Sequence, residues 1–226
     1  MNNVYTYIDN VKIATEDDFF NFVKTITNYF AQKFGVKNCE IQLKKQKQNT
    51  NTFVGVLRTA ECVPILEGGL FKSAILKFDP SVAKQGNIAR IIKLTAHEWM
   101  HYYDMLVKSK TVQPEDVDVR YKDLLTKSRH FVSAQMKKEI TDPKIYDCLL
   151  KLSPLEVVAD LHAKNVLQDI LQHTNNQAIK TDIQIQLNNY NKQIETLQRY
   201  LKEHNFEGYD YNNIERWRKS KTEFKN

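Results

Sequence analysis

The sequence has few of the features that mark disulfide-stabilised or thiolate-metal proteins. Only three cysteines occur among the 226 residues, at positions 39, 62 and 148, and no CxxC pair is present. Because they are widely spaced and odd in number, they favour reduced thiols over a disulfide framework. They also give no local support for a metal site built from thiolates.

Long apolar runs and targeting segments are missing as well. Lys, Asp or Glu interrupts every apolar run, so none approaches the roughly 20 residues that cross a bilayer. The N-terminal stretch MNNVYTYIDNVKIATEDD contains neither the basic nor the apolar region of a secretory signal. We therefore expect a cytoplasmic protein without a membrane span.

The charge is basic but is not concentrated. Lys and Arg total 33 against 27 Asp and Glu, and only QLKKQKQN (42–49) and RWRKSK (216–221) are basic clusters. Such runs are usually solvated surface, so we expect weak nucleic-acid binding or none. Hydrophobic residues make up 42% of the chain, which is typical of a globular protein with a packed core.

The hydrophobic pattern predicts an α+β fold that is mostly helical. Residues 17–35 carry apolar side chains at helical spacing, with Thr15 as a cap and Gly35 as a stop. Three segments with β-type residues then predict a small antiparallel sheet, namely CEIQLKK (39–45), TFVGVLRT (52–59) and LFKSAILKFD (70–79).

Helical patterns dominate the rest of the chain. A helical period runs from Gly86 to about Val107, residues 114–140 show weaker helical spacing, and a helix capped by Ser153 covers 153–173. Spacings of four and three then alternate in the manner of a coiled-coil seam through Ile183, Leu187, Tyr190, Ile194, Leu197 and Leu201. We predict one domain over 1–174 and, over 175–226, a helical arm and basic tail packed on it. Residues 179–201 are a candidate surface for a helical partner or for self-association.

The stretch LTAHEWMHYYD (94–104) places two histidines four residues apart. Four helical residues advance about 400°, so His97 and His101 project from one face, while Glu98 is offset by about 100°. The pattern H-E-x-x-H fits two zinc ligands and a general base, but it is short enough to arise by chance on an ordinary half-buried helix. Anchoring on the other side, which a metal helix needs, would come from Ile91, Leu94, Ala96, Trp99 and Met100.

A hydrolytic zinc site needs a third protein ligand and one open position for water. Metzincins place a Gly three residues and a third histidine six residues beyond the second. This chain has Asp104 and Val107 at those places, so that class is excluded. The remaining candidates are the acids and His130, His162 and His173, and the strongest is Glu156, on the helix that Ser153 caps.

AHEWMH, followed after about 55 residues by PLEVVADLHA, resembles the gluzincins, zinc peptidases whose second motif is a helical E-x-x-x-D. The form ExxAD (156–160) is similar to membrane-associated endopeptidases related to the CAAX-prenyl proteases, to small soluble relatives, and to phage and mobile-element peptidases. The resemblance implies that His97, His101 and Glu156 bind zinc, that Glu98 is the general base, and that Asp160 accepts a hydrogen bond from one ligand histidine. It covers about 25 residues, and because the membrane helices of those relatives are missing, a membrane substrate is not carried over.

Helical geometry agrees with this implication. Glu156 and Asp160 are one turn apart and face the same way, so one carboxylate can reach the ion while the other holds an imidazole N–H. Glu156 alone could instead be a first-turn acid that complements the helix dipole. That alternative does not account for Asp160 among its apolar neighbours.

The implied reaction is hydrolysis of a peptide bond in a peptide or protein substrate. Zinc would polarise the scissile carbonyl and acidify a water, whose proton Glu98 takes and later delivers to the leaving amine. A further donor should stabilise the oxyanion, and the candidates are Tyr102, Tyr103, His130, Tyr146 and His162. Because His162 lies six residues after Glu156, we expect it to point away from Glu156 as an ordinary helix residue.

Several alternatives stay open from the sequence alone. The segment FKSAILKF (71–78) could be an edge strand that pairs with an extended substrate or, equally, a central strand. Asp104 could orient a ligand, although a surface pair with a lysine is the simpler expectation. The rival functions are a catalytically silent zincin-fold regulator, a nucleic-acid-associated protein, and a partner-binding module in the C-terminal arm. Glu98 favours an enzyme, since a structural zinc site has no need of an acid there.

Overall fold

The computed structural model describes residues 4–44, 59–68, 70–85, 87–110 and 140–206. These residues form six α-helices and a three-stranded sheet, with the strands between the second and third helices. The expectation of a mostly helical α+β fold is confirmed. The helices are α1 (Val4–Asn10), α2 (Glu16–Lys33), α3 (Ile88–Lys110), α4 (Pro143–Lys151), α5 (Pro154–His173) and α6 (Gln177–Glu203). The strands are β1 (Glu40–Leu43), β2 (Ala60–Glu67) and β3 (Leu70–Phe78), and a 3₁₀ turn spans Pro80–Gln85.

The sheet is mixed, with the order β1-β3-β2. Strands β2 and β3 form an antiparallel pair around Gly68, whose φ of 60° suits a tight turn. Strand β1 runs parallel to β3, so the prediction of a wholly antiparallel sheet was wrong for this pair. Strand β2 occupies one edge of β3 through the hairpin, so β1 pairs with the other edge. The long chain segment between β1 and β3 permits the crossover that a parallel pair requires.

Strand positions differ from the prediction in the middle of the chain. TFVGVLRT (52–59) lies outside the described residues except for its last residue, and the strand is the following segment, β2. Pro64 lowered the strand signal of β2, but it is tolerated there because β2 is an edge strand of the described sheet. The open question about 71–78 is answered as well, since β3 is the central strand.

Three predicted helices are confirmed as α2, α3 and α5. Thr15 and Asp18 form a reciprocal capping box at the start of α2. The buried face of α2 packs with the sheet and with α3 in one core, which includes Phe22, Phe30, Leu76, Ile92 and Trp99. This packing fixes α3 along the sheet. The predicted segment 114–140 lies outside the described residues apart from Ile140.

The seam of α6 faces the chain's own core. Ile183 and Leu187 belong to the main core, while Leu201 packs in a smaller cluster with Leu149 of α4 and Phe206. These contacts show that part of the seam packs on this chain, and a helical partner or self-association through 179–201 stays a prediction. The division at 174/175 falls in the turn between α5 and α6, and its meaning as a domain boundary stays a prediction.

None of the described helices is both long enough and apolar enough to cross a bilayer.

Candidate metal centre

Helices α3 and α5 pack against each other and bring the two sequence motifs together. Trp99 is fully buried on the core side of α3. Met100 packs with Val157, Val158 and Ala159 of α5 in a small apolar cluster. Because these contacts fix both helices, the polar face of the HEWMH segment meets the polar face of the ExxAD segment.

Two histidines and one glutamate converge at this meeting point. The Nε2 atoms of His97 and His101 are 3.2 Å apart. Glu156 spans both rings, with Oε2 at 3.1 Å from His97 Nε2 and Oε1 at 3.7 Å from His101 Nε2. One ligand atom from each residue can be chosen so that all lie within 4.8 Å of one another.

These separations suit a tetrahedral ion. Zinc bonds to nitrogen and oxygen are about 2.0–2.2 Å long, so two ligand atoms on one tetrahedral ion lie about 3.3 Å apart. The distances of 3.1 and 3.2 Å are close to that value, and 3.7 Å requires a small adjustment of the half-exposed Glu156 side chain. The described residues His97, His101 and Glu156 therefore form a group that can hold a metal ion.

Asp160 orients the first histidine. Its Oδ1 lies 2.8 Å from His97 Nδ1. If Nδ1–H donates to this carboxylate, the neutral ring presents the Nε2 lone pair to an ion. This is the contact that the resemblance implied for Asp160.

The same two carboxylates control the protonation of His97. Burial lowers the pKa of His97, but hydrogen bonds from the ring to Asp160 and Glu156 outweigh burial and raise the pKa to about 10. The centre therefore favours a positive charge at this position. A proton and a metal ion would compete for it, so metal binding would release protons.

Glu98 is buried on α3, within electrostatic range of β2. Its side chain is 8% exposed. Burial, the Glu98 carboxylate and the Cys39 thiol raise the pKa of Cys62, which is on β2. Glu98 is therefore close to the edge strand β2, whereas His97 bonds to α5.

No sequence pattern indicated that Cys62 would lie near Glu98. The alternation of β-type residues in AECVPILE was a signal for β2, but Pro64 obscured it. With β2 recognised, its antiparallel pairing with β3 would have placed Cys62 opposite Leu76, a residue of the core.

The candidate oxyanion donors have different surroundings. The Tyr102 hydroxyl donates its one proton to the backbone carbonyl of Lys37 at 2.5 Å, so the structure does not direct it to the centre. Tyr103 stacks on Trp99 with ring centroids 5.4 Å apart, and Tyr146 is half-buried on α4. Both stay predictions. His130 lies outside the described residues.

Neither histidine of α5 belongs to the centre. His162 is buried among aromatic rings, with its ring centroid 5.8 Å from that of Phe30 and 5.7 Å from that of Phe34. His173 is exposed, stacks on Tyr5 and bonds to the carbonyl of Asp169. Of the third-ligand candidates in the described residues, the structure brings Glu156 to the histidine pair.

The chain was compared with models of protein families, with curated proteins and with solved structures. None of the three comparisons found a match.

Proposed function

We propose that this protein is a zinc-dependent metallopeptidase of the gluzincin type, which hydrolyses peptide bonds in peptide or protein substrates. The observation that carries the proposal is the convergence of His97, His101 and Glu156 from two distant motifs. Asp160 adds a hydrogen bond to Nδ1 of His97, the ring nitrogen that points away from Glu156. A chance HExxH helix has no reason to meet a second motif of matching chemistry.

The donor set favours zinc over other common ions. Two imidazole nitrogens and one carboxylate form the ligand set of catalytic zinc sites, which keep a fourth position open. Magnesium and calcium prefer sites built from oxygen alone. Geometry and donor type together therefore support zinc as the cofactor.

Glu98 and Asp160 have different roles in the proposed hydrolysis. When bound, zinc supplies Lewis acidity towards water and towards a carbonyl oxygen. The Glu98 carboxylate takes a proton from the attacking water and delivers it to the nitrogen of the leaving amine. Asp160 keeps the proton of His97 on Nδ1 and holds the ring in position.

An extended substrate would pair with β2 in this proposal. Strand β3 is central and already has β1 and β2 as neighbours. Strand β2 is an edge within the described sheet and is near Glu98 through Cys62. Backbone pairing at an edge gives affinity with weak side-chain selectivity.

Metal analysis tests the proposal first. Zinc per chain would be counted by elemental analysis for the wild type, for Glu156→Ala and for Glu195→Ala, which removes an exposed glutamate of α6. We expect about one zinc in the wild type and in Glu195→Ala, and a large loss in Glu156→Ala. A wild-type protein that takes up no zinc after reconstitution would rule the proposal out.

Hydrolysis of an unfolded protein is the second test. The zinc-loaded wild type should cleave it, and a chelator should stop the cleavage. A protein that binds zinc through these residues but cleaves neither unfolded proteins nor peptides would be a catalytically silent regulator instead.

A further inference from the structure

A cavity of about 290 Å³ lies among α1, α2 and α5, on the other side of α5 from the metal centre. Its walls are mostly apolar. They are formed by Val4 and Ile8 of α1, by Ile26, Tyr29 and Phe30 of α2, by Phe34 directly after α2, and by Val166 and Ile170 of α5. We propose that this cavity binds a neutral aromatic molecule of about two fused rings that carries one hydrogen-bonding group.

The volume sets the size of the occupant. Protein interiors are packed to a density of about 0.74, so a filled cavity of this volume holds about a dozen non-hydrogen atoms. The volume is close to the lower end of the range for small-molecule sites, which is about 300 Å³. A two-ring molecule meets this limit, whereas an extended peptide segment exceeds it.

The walls set its aromatic character. The rings of Tyr29, Phe30 and Phe34 all line the cavity. Aromatic pairs in stacked or edge-to-face geometry are more favourable than their buried area alone predicts. A flat aromatic molecule can use these ring faces and edges, whereas an aliphatic chain cannot.

The polar groups set its charge. Lys33 and Asp169 form a pair at the cavity, with Nζ and Oδ2 3.3 Å apart, and the Tyr5 hydroxyl donates to the same oxygen at 3.0 Å. Because these charges already balance each other, a charged occupant would lose part of its hydration without gaining an unpaired counter-ion, which is costly. Asn165 also lines the cavity, and its side-chain amide can exchange one hydrogen bond with a neutral hydroxyl or N–H.

The cavity shares its wall with the buried face of α3. Trp99, between the two histidines in sequence, lies 5.3 Å from Phe30 and 5.2 Å from Phe34, measured between ring centroids. An occupant would therefore contact the side chains that support the metal helix. Binding itself does not depend on zinc or on the peptidase proposal.

Calorimetry with 2-naphthol tests the inference on the full chain. We expect saturable binding to the wild type and to Glu156→Ala alike, so a failure of the zinc proposal would leave this result unchanged. We expect 2-naphthoate, which adds a charge to the same rings, to bind at least about tenfold more weakly. The absence of saturable 2-naphthol binding, or equal or tighter binding of 2-naphthoate, would overturn the inference.

Two substitutions on α5 locate the site. Val166→Phe places a ring in the cavity, whereas Gln168→Phe places the same ring on the exposed face of the same helix. We expect about tenfold or greater loss of 2-naphthol binding in Val166→Phe and no change in Gln168→Phe. If Val166→Phe does not fold, Ile26→Phe fills the cavity from α2 instead. A folded cavity-filling variant that binds 2-naphthol like the wild type would overturn the inference.

Discussion

At the scale of single residues, Glu98 and Asp160 have different surroundings. Glu98 is next to His97 in sequence but lies near the sheet, and Asp160 bonds to the outer nitrogen of His97. In the proposed function the first is the proton carrier and the second supports a metal ligand. Substitutions at the two sites should therefore have separable effects.

Glu98→Gln should preserve metal binding and remove hydrolysis. The amide is similar in size but cannot take a proton, and general-base catalysis typically contributes about 10²- to 10⁴-fold. The measurements are zinc per chain and the rate of cleavage of an unfolded protein, with Glu195→Gln as a surface control. A Glu98→Gln protein that keeps the wild-type rate would show that the general base is another residue.

Asp160→Asn should weaken metal binding. The amide oxygen can still accept from Nδ1–H but has no negative charge, and loss of such a partner typically costs about 10- to 100-fold in metal affinity. Competition with a chromogenic chelator would measure the affinity. Asp147→Asn, which removes a carboxylate paired with Lys151 on α4, is the control and should bind zinc normally. Equal affinities for the two variants would contradict the role of Asp160.

Helical spacing alone predicted which candidate side chains share a helix face. The separations 97/101 and 156/160 place each pair on one helix face whatever the rest of the fold does. The use of Tyr102 was not predictable, because its bond to the Lys37 carbonyl depends on how α2 and β1 pack on α3. Contacts between distant segments have no local signal in the sequence.

At the scale of single elements, α1 depends on tertiary contacts. It has seven residues, too few for a stable isolated helix. Ile8 is buried in the core, and Asp9 bonds to the turn between α5 and α6, where it accepts from the Thr174 hydroxyl and the Asn175 amide. The sequence pattern did not predict α1, because these partners are more than 160 positions away.

Asp9→Ala should destabilise the protein in a pH-dependent way. Burial raises the pKa of Asp9, but hydrogen bonds from Thr174, Asn175 and Asn176 outweigh burial and hold the pKa below its usual value. A lowered carboxyl pKa stabilises the fold fully above the unfolded-state pKa of about 3.9, and this stabilisation is lost as the pH falls through the lower folded-state pKa.

Urea unfolding at several pH values measures this effect. At neutral pH we expect Asp9→Ala to lose about 1 kcal/mol of unfolding free energy. The loss should shrink as the pH falls below about 4. Glu195→Ala removes an exposed carboxylate with no such bonds and should match the wild type. An Asp9→Ala loss that does not change down to acidic pH would contradict the hydrogen-bonded carboxylate as its cause.

At the scale of the whole molecule, α6 completes the core. Ile179, Ile183 and Leu187 are buried in the main cluster. Each such side chain contributes about 1.5–3 kcal/mol on burial, and the total stability of a domain is about 5–15 kcal/mol. The heptad spacing predicted the helix but could not say whether its partner is this chain or another.

Truncation after residue 174 should therefore unfold the protein or leave it severely destabilised. Circular dichroism during heating, together with zinc uptake, would show this outcome. A matched truncation after residue 206 keeps α6 and Phe206 and should keep the cooperative transition. If the chain ending at 174 folds cooperatively and takes up zinc, α6 is an independent module.

Zinc should stabilise the whole fold because its ligands lie on two helices. At a free zinc concentration of 100 times Kd, linkage predicts about 2.7 kcal/mol of added unfolding free energy. Denaturant unfolding with zinc and with magnesium, for the wild type and for Glu156→Ala, is the measurement. Stabilisation by magnesium, or by zinc in Glu156→Ala, would place the effect outside this centre.

The two halves of the metal centre are 59 positions apart, as His97 and Glu156. During synthesis the histidine helix is therefore complete long before its third ligand exists. A growing chain that has passed residue 101 but not reached residue 156 has the pair of imidazoles without the carboxylate that completes the group. If this protein is a peptidase, it cannot become active until α5 has left the ribosome, so the order of its own sequence delays activity until most of the core is present.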